Sequence, residues 1–378
     1  MPQNATPCLL PAGLYDLLPP YAAHERRINS ALMDAFMAFG YAQVSPPLVE
    51  FESSLLSGRG EALTAQTFRV MDPLSQEMMG FRPDITMQVA RLAASRLSDQ
   101  PRPLRLAYSG STLRVKGEGT GRSRQWRQAG VELMGSDAPQ ADSEVIAVAV
   151  QALAAIGCDD VVVDINLPGL VQQVLKAGNV PASRHGEIFS AVESKDTGWV
   201  QSADLGKTGT LLADLIHASG PLDEALPRLQ ALALPKESEA QVAHMQAVVN
   251  GLQALGVKAK LTLDAVENRG FEYHSLISFS LFSRSEAEEI GRGGRYISGI
   301  NDEAATGVTL YVNRLMNAVK PDGQRPRLLV ASNTPLNACA TWQKQGFETV
   351  WAAQAATKDE AQAQGCSHVL HNGKAVTI

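Results

Sequence analysis

Residues 121–134 read Gly-Arg-Ser-Arg-Gln-Trp-Arg-Gln-Ala-Gly-Val-Glu-Leu-Met, the pattern of a strand with a polar face and an apolar one. Strand side chains alternate between faces, so Arg124, Trp126, Gln128, Gly130, Glu132 and Met134 share one side. Ala129, Val131 and Leu133 occupy the other and suit packing against helices. An amide and a carboxylate flank a glycine, which leaves an open spot over Gly130 where a small zwitterion finds matched charges. The same pattern also suits an edge strand with a solvated polar face. The neighbouring segments separate the two readings.

Residues 104–113 form a partner strand, and the connection over 115–123 is a mobile loop rich in glycine and charge. Upstream, residues 22–39 make an amphipathic helix with Ile28, Leu32, Ala35, Phe36 and Phe39 at helical spacing. Gly40 ends it, and residues 41–49 read as a strand leading into Pro46-Pro47. Residues 67–71 and 78–81 form a hairpin around Asp72-Pro73. Residues 85–97 form a second helix with Asp84 as its N-cap. Downstream come a helix over 143–155 and a buried strand over 161–165. Residues 167–256 are almost wholly helical, broken at Pro181, Pro221 and Pro235. Strands return at 260–263, 275–281 and 305–311, followed by a linker over 321–326. A small α/β unit closes the chain with strands at 328–331, 349–352 and 368–370. Strands interrupted by one helical block imply an α+β fold: an antiparallel sheet flanked by helices, not a doubly wound one.

Composition narrows the function classes. A chain of 378 residues, 45% hydrophobic, buries a large core and suggests two or three domains. Its net charge of −6 argues against strong non-specific binding to nucleic acid. Cys8, Cys158, Cys339 and Cys366 are scattered, which fits a reducing cytosol rather than a disulfide framework or a zinc site. No apolar run reaches the length of a membrane span and no signal-peptide layout is present, so a cytoplasmic protein is expected. Four weaker signals take plain readings. Gly117-Glu118-Gly119-Thr120-Gly121 lacks the phosphate-loop lysine, and His368 with His371 lacks zinc-helix spacing. Met78-Met79 reads as core, and residues 286–289 as a solvated turn.

Five segments taken in order resemble the class II aminoacyl-tRNA synthetase core, in its histidyl-tRNA synthetase form. They are Gly40-Tyr41 through Glu50, similar to the dimer-interface motif; Phe81-Arg82-Pro83-Asp84-Ile85-Thr86; Arg114 through Gly135; Arg269-Gly270-Phe271-Glu272-Tyr273; and Gly293-Gly294-Arg295-Tyr296. The resemblance implies a histidine pocket. Asp84, Thr86 and Gln128 match ammonium-side contacts, and Glu132 matches the carboxylate that meets an imidazole N–H. Arg114 and Arg269 match positions facing the carboxylate and, in the enzymes, the α-phosphate. Tyr273 and Tyr296 match aromatic walls, while His274 stands where the family has a pocket tyrosine. Tyr296 reads equally as a core residue, and Arg82 and Arg295 as sheet-face ion pairs, which contribute little at a surface.

The departures bear on catalysis. Where the enzymes read Arg-x-Glu to grip adenine, the chain has Arg114-Val115-Lys116, and an ammonium accepts no hydrogen bond. Tyr311 stands where a glycine would let the nucleotide lie on the strand, and its ring is expected to fill the nucleoside's space. Asn313 replaces a glutamate, and Asp84 is one methylene shorter than the usual residue. This combination resembles the regulatory subunits of ATP phosphoribosyltransferase, a synthetase-like family of histidine biosynthesis.

The resemblance implies a non-catalytic chain with no cofactor and no metal. Its implied partners are a short-form catalytic subunit in a hetero-octamer, a second copy of itself, and L-histidine as effector, with no nucleic acid and no membrane. It also implies a synthetase-like core over 1–322 with a helical insertion at about 167–258, and a C-terminal α/β domain over 323–378, truncated relative to an anticodon-binding domain. An active histidyl-tRNA synthetase or related adenylating ligase is the alternative, since Arg114, Arg269 and Arg314 are retained. A scaffold with a vestigial pocket is the third reading.

Overall fold

A computed structural model describes residues 9–56, 63–118, 123–267, 274–299, 301–321, 323 and 325–378. Cys8, the loop at 119–122 and the motif spanning Arg269 to Tyr273 lie outside them. The chain divides into two compact units, Met1–Lys320 and Pro321–Ile378.

The first unit opens with α1 (Tyr21–Ala38), β1 (Ala42–Val44), β2 (Val49–Phe51) and α2 (Glu52–Leu55). Then come β3 (Arg69–Met71), β4 (Met78–Phe81), α3 (Thr86–Ala94), β5 (Leu104–Glu118) and β6 (Ser123–Met134). After α4 (Pro139–Ala155) and β7 (Val161–Asn166) the helical block begins: α5 (Leu170–Ala177), α6 (Ala182–Glu193), α7 (Thr197–Ser202) and α8 (Lys207–His217). It continues through the two-residue β8 (Gly220–Pro221), α9 (Leu222–Gln230) and α10 (Lys236–Ala254). The unit ends with β9 (Lys260–Asp264), β10 (His274–Ser283), β11 (Glu286–Ile297), β12 (Ala304–Tyr311) and α11 (Val312–Ala318).

Nine strands form one sheet in the order β1-β5-β6-β12-β11-β10-β7-β9-β8. Its centre is antiparallel from β5 to β7, while β1 runs parallel to β5 and β9 parallel to β7. β6 is hydrogen-bonded on both sides, to β5 and β12, so it is an interior strand and not a solvated edge. Its alternation divides two cores. Ala129, Val131 and Leu133 pack with Ile28, Leu32 and Phe36 of α1 and with Val145 and Ala149 of α4. On the opposite face Met134 joins Tyr108, Tyr296 and the α3 residues Val89 and Ala90. Removing such side chains from water is the main favourable term in folding.

Several sequence expectations need correcting. Residues 41–49 are two strands, because Pro46-Pro47 supplies no N–H groups to continue a ladder; β1 joins the large sheet and β2 a three-stranded sheet ordered β2-β4-β3. Phe39 caps α1 from outside and is exposed. Met78 is exposed, opposite the exposed Met71 in the β3–β4 ladder. Residues 286–289 begin β11, and the turn lies just before them. There Glu289 accepts from Ser280 at 2.6 Å and pairs with Arg292, so its charge is used within the sheet face.

The second unit contains β13 (Arg327–Val330), α12 (Leu336–Lys344), β14 (Glu348–Trp351), α13 (Lys358–Ala363), β15 (His368–His371) and β16 (Lys374–Thr377). β14, β13 and β15 are parallel and β16 closes one edge antiparallel. One face buries Leu329, Ala361 and Val369, the other Leu328, Val330 and Cys339. Among the described residues, no helix is long and apolar enough to cross a membrane, and no cluster could hold a metal ion.

Candidate functional site

Strand register builds the site. Successive pairings align Asp264, Asn166, Ser278, Gly294, Gly307 and Glu132 in a row across six strands. Directly paired residues project to the same face, here the face opposite α1 and α4. Over Glu132, the two glycines leave that face open while the strands on either side carry polar groups.

Five of the expected residues converge there. Asp84 follows β4, and its carboxylate accepts the Thr86 backbone N–H at 2.8 Å and the Gln128 side-chain amide at 3.1 Å. A carboxylate oxygen accepts, so the Gln128 nitrogen faces Asp84 and its Oε1 points away. That oxygen is buried with no hydrogen-bond partner. Thr86 opens α3, and its hydroxyl lies 3.3 Å from the Tyr108 hydroxyl, which in turn lies 2.7 Å from Thr309. Tyr296, on β11, donates to Glu132 Oε2 at 2.9 Å, and both residues are buried. Tyr296 therefore belongs to the core and to the site together.

Burial pushes the Glu132 carboxyl up to about 8. Hydrogen bonds from Tyr296 and Thr86 work against that rise, and the Asp84 charge adds to it. At neutral pH Glu132 is held mostly in its protonated form.

Two features were not legible as expected. The spot over Gly130 is filled: a Cβ there would stand 2.3 Å from the Val308 carbonyl and 2.5 Å from the Tyr108 hydroxyl. The opening lies instead beside Glu132, between Thr86, Arg292, Gly294, Tyr296 and Thr309, with a volume of about 10 Å³. That is space for about one water molecule. Gly307 makes it possible, since a Cβ at that position would stand 1.9 Å from Glu132 Oε2. Gly307→Ala should therefore displace the carboxyl from Tyr296 and destabilise the chain by about 1–3 kcal/mol. A melting temperature equal to the unaltered chain's would refute this.

The other expected residues are not part of this hydrogen-bonded cluster as described. Arg114, on β5, donates to the Pro83 carbonyl at 3.1 Å and lines a second small cavity with Trp126, Glu289, Arg292, Tyr311 and Arg314. In that cavity the Tyr311 ring meets Trp126 edge-on at 6.0 Å, and the Arg314 guanidinium lies 5.1 Å and 5.2 Å from the two ring centres. Only about 20 Å³ remains free. Asn313 accepts the Arg127 backbone N–H at 2.6 Å. His274 lies opposite Tyr296 in the β10–β11 ladder, whereas Arg269 and Tyr273 fall outside the described residues. Arg82 is not a surface ion pair. Its buried guanidinium donates to the Pro46 and Ser111 carbonyls at 2.8 Å each and lies against Gly110. Arg295 is likewise buried, paired with Asp142. Sequence reasoning missed Tyr108, Thr309, Arg292 and Gly307. Only strand pairing brings them to the pocket.

Known proteins resemble this chain over most of its length. The histidyl-tRNA synthetase family model matches residues 13–315. An ATP phosphoribosyltransferase regulatory subunit from Rhodospirillum centenum is 44% identical over 99% of this chain and 97% of its own length. One from Paramagnetospirillum magneticum is 45% identical over 98% of each. A crystal structure of an ATP phosphoribosyltransferase regulatory subunit/histidyl-tRNA synthetase from Bacillus halodurans superposes with a TM-score of 0.82, covering 97% of this chain and 98% of that one at 22% identity. A Nostoc histidyl-tRNA synthetase superposes with a TM-score of 0.77, covering 98% and 96% at 17% identity. At those identities the two structures speak to the fold alone.

Proposed function

The chain belongs to the family of ATP phosphoribosyltransferase regulatory subunits, and from that premise we propose that it is a histidine sensor for a separate catalytic subunit. The partner is a short-form ATP phosphoribosyltransferase, which the chain enables in the first step of histidine biosynthesis and inhibits when histidine accumulates. The assembly is cytoplasmic and hetero-octameric, built on dimers of this chain, and binds no nucleic acid. Exposed Met71 and Met78, paired directly in the β3–β4 ladder, support the self-dimer, since exposed apolar surface marks contact sites.

The observation that carries the proposal is the buried, unpartnered Gln128 Oε1 beside Asp84. A buried acceptor without a donor is costly, and an α-ammonium supplies one. Histidine's imidazole N–H then reaches Glu132 in place of the Tyr296 hydroxyl, with Thr86 on the ammonium side. Arg114, Arg269, Tyr273 and His274 complete the pocket in this reading. The nucleotide side is closed by Tyr311 packed with Trp126 and Arg314, and Lys116 cannot accept from adenine, which favours sensing over activation. For histidine to inhibit, it must bind one state of the complex better than the other.

Calorimetric titration of the full chain with histidine and, separately, a non-hydrolysable ATP analogue tests this. Histidine binding alone is expected; binding of both favours a synthetase. In the reconstituted transferase, Glu132→Ala or Gln128→Ala should relieve histidine inhibition and leave assembly intact. Unchanged inhibition in both variants places the sensing site elsewhere.

A further inference from the structure

The last helix of the helical block packs against β10, the strand paired with the one that carries Tyr296. On α10, Gln241 is 2% exposed, and its amide nitrogen donates to the Leu276 carbonyl at 2.8 Å and to the Pro168 carbonyl at 2.9 Å. Its oxygen accepts from Gln173 at 3.4 Å. Leu276 has φ +62°, the left-handed region that residues with a Cβ enter at a cost of about 1–2 kcal/mol. Such a conformation persists where its surroundings hold it.

Leu276 sits in a bulge. Along β10 and β11 the register runs Leu281↔Gly291, Ser280↔Arg292, Phe279↔Gly293 and Ser278↔Gly294, then shifts to His274↔Tyr296. Continued without the shift, the ladder would put Leu276 opposite Tyr296, on the same polar face as Ser278 and Ser280. Bulges re-aim a strand in this way. The bulge takes Leu276 off the register position opposite Tyr296 and brings the backbone of His274 to it.

We propose that Gln241 is a positioning residue of the amino-acid pocket: by holding the Leu276 carbonyl it keeps β10 bulged and His274 opposite Tyr296. The proposal rests on the histidine-sensing reading above. It extends that reading to a residue of the helical block that does not itself reach the ligand. His244, one turn further along α10, makes a parallel connection to β11, because it contacts Asp142, which holds Arg295 next to Tyr296.

The test measures histidine affinity by calorimetry and stability by urea unfolding for the full chain and four variants. Gln241→Leu keeps the bulk and removes both donors; it should weaken histidine binding tenfold or more. Adding Leu276→Gly, which enters the left-handed region freely, should restore most of the affinity without restoring stability. Leu276→Gly alone should bind as the unaltered chain does. If Gln241→Leu does not fold, Leu276→Val decides, because a β-branched residue resists positive φ and should weaken binding with Gln241 in place. Full affinity in Gln241→Leu or in Leu276→Val overturns the proposal, and so does failure of Leu276→Gly to rescue. Absence of histidine binding in the unaltered chain is a distinct result, which overturns the sensing reading and this inference with it.

Discussion

Asp142→Ala is expected to cost about 3–5 kcal/mol of folding stability, a large share of what a typical folded chain possesses. The reason is what it leaves behind. Arg295 is 1% exposed, and its guanidinium donates twice to Asp142 Oδ2, at 3.0 Å and 2.7 Å. Its other partners are the Ser136 and Ala138 carbonyls, at 2.7 Å and 3.0 Å. Two carbonyls satisfy hydrogen bonds but do not neutralise a buried cation. His244 loses its 2.7 Å contact with the same oxygen. Replacing both charges with apolar groups, as in Asp142→Leu with Arg295→Met, should recover most of the loss, because desolvation is then no longer uncompensated. Urea unfolding of the three proteins measures this. A loss below about 1 kcal/mol in Asp142→Ala would show the pair behaving as a surface ion pair does, and the double variant would then have nothing to recover.

The Asp142–Arg295 pair also marks where the sequence stops being readable. Arg295 stands in a recognisable Gly-Gly-Arg-Tyr segment, yet its partner is 153 positions away, and nothing local distinguishes a buried arginine from a solvated one. The β6 strand was legible because one of its faces is buried against α1 and α4, which ties register to alternation. Gln128 and Glu132 followed from that alternation. The space above them did not: Gly130 looked open because Tyr108, which covers it, arrives only through the β5–β6 register. Residues 286–289 were misread for a related reason. Their charges resemble a solvated turn until Ser280 and Arg292 are seen beside Glu289. Leu276 carries no local sign of its conformation, since positive φ is ordinarily announced by glycine or asparagine. Local pattern therefore located the strands and the polar face, while long-range pairing decided what fills that face.

Glu132→Gln should abolish the effect of pH on stability that this one side chain imposes. Burial raises the folded-state value to about 8 from an ordinary 4.5. Between those values the folded chain keeps a proton that the unfolded chain has released. Stability is therefore fully present below the lower value, declines as pH rises towards the upper one, and levels off beyond it. At roughly 1.4 kcal/mol per pH unit, the full interval amounts to about 4–5 kcal/mol. The amide has no proton to lose and still offers an oxygen to the Tyr296 hydroxyl, while its nitrogen, if unpaired, costs about 1–3 kcal/mol. The two effects oppose each other. Near pH 5 the variant should equal the parent or fall slightly below it, and by pH 9 it should exceed the parent by about 2–4 kcal/mol. Every other titrating group is shared, so the difference between the two unfolding curves isolates this carboxyl. A difference that stays constant from pH 5 to pH 9 would mean that Glu132 is already ionised in the folded chain. The pocket would then offer histidine a fixed negative charge rather than a buried acid.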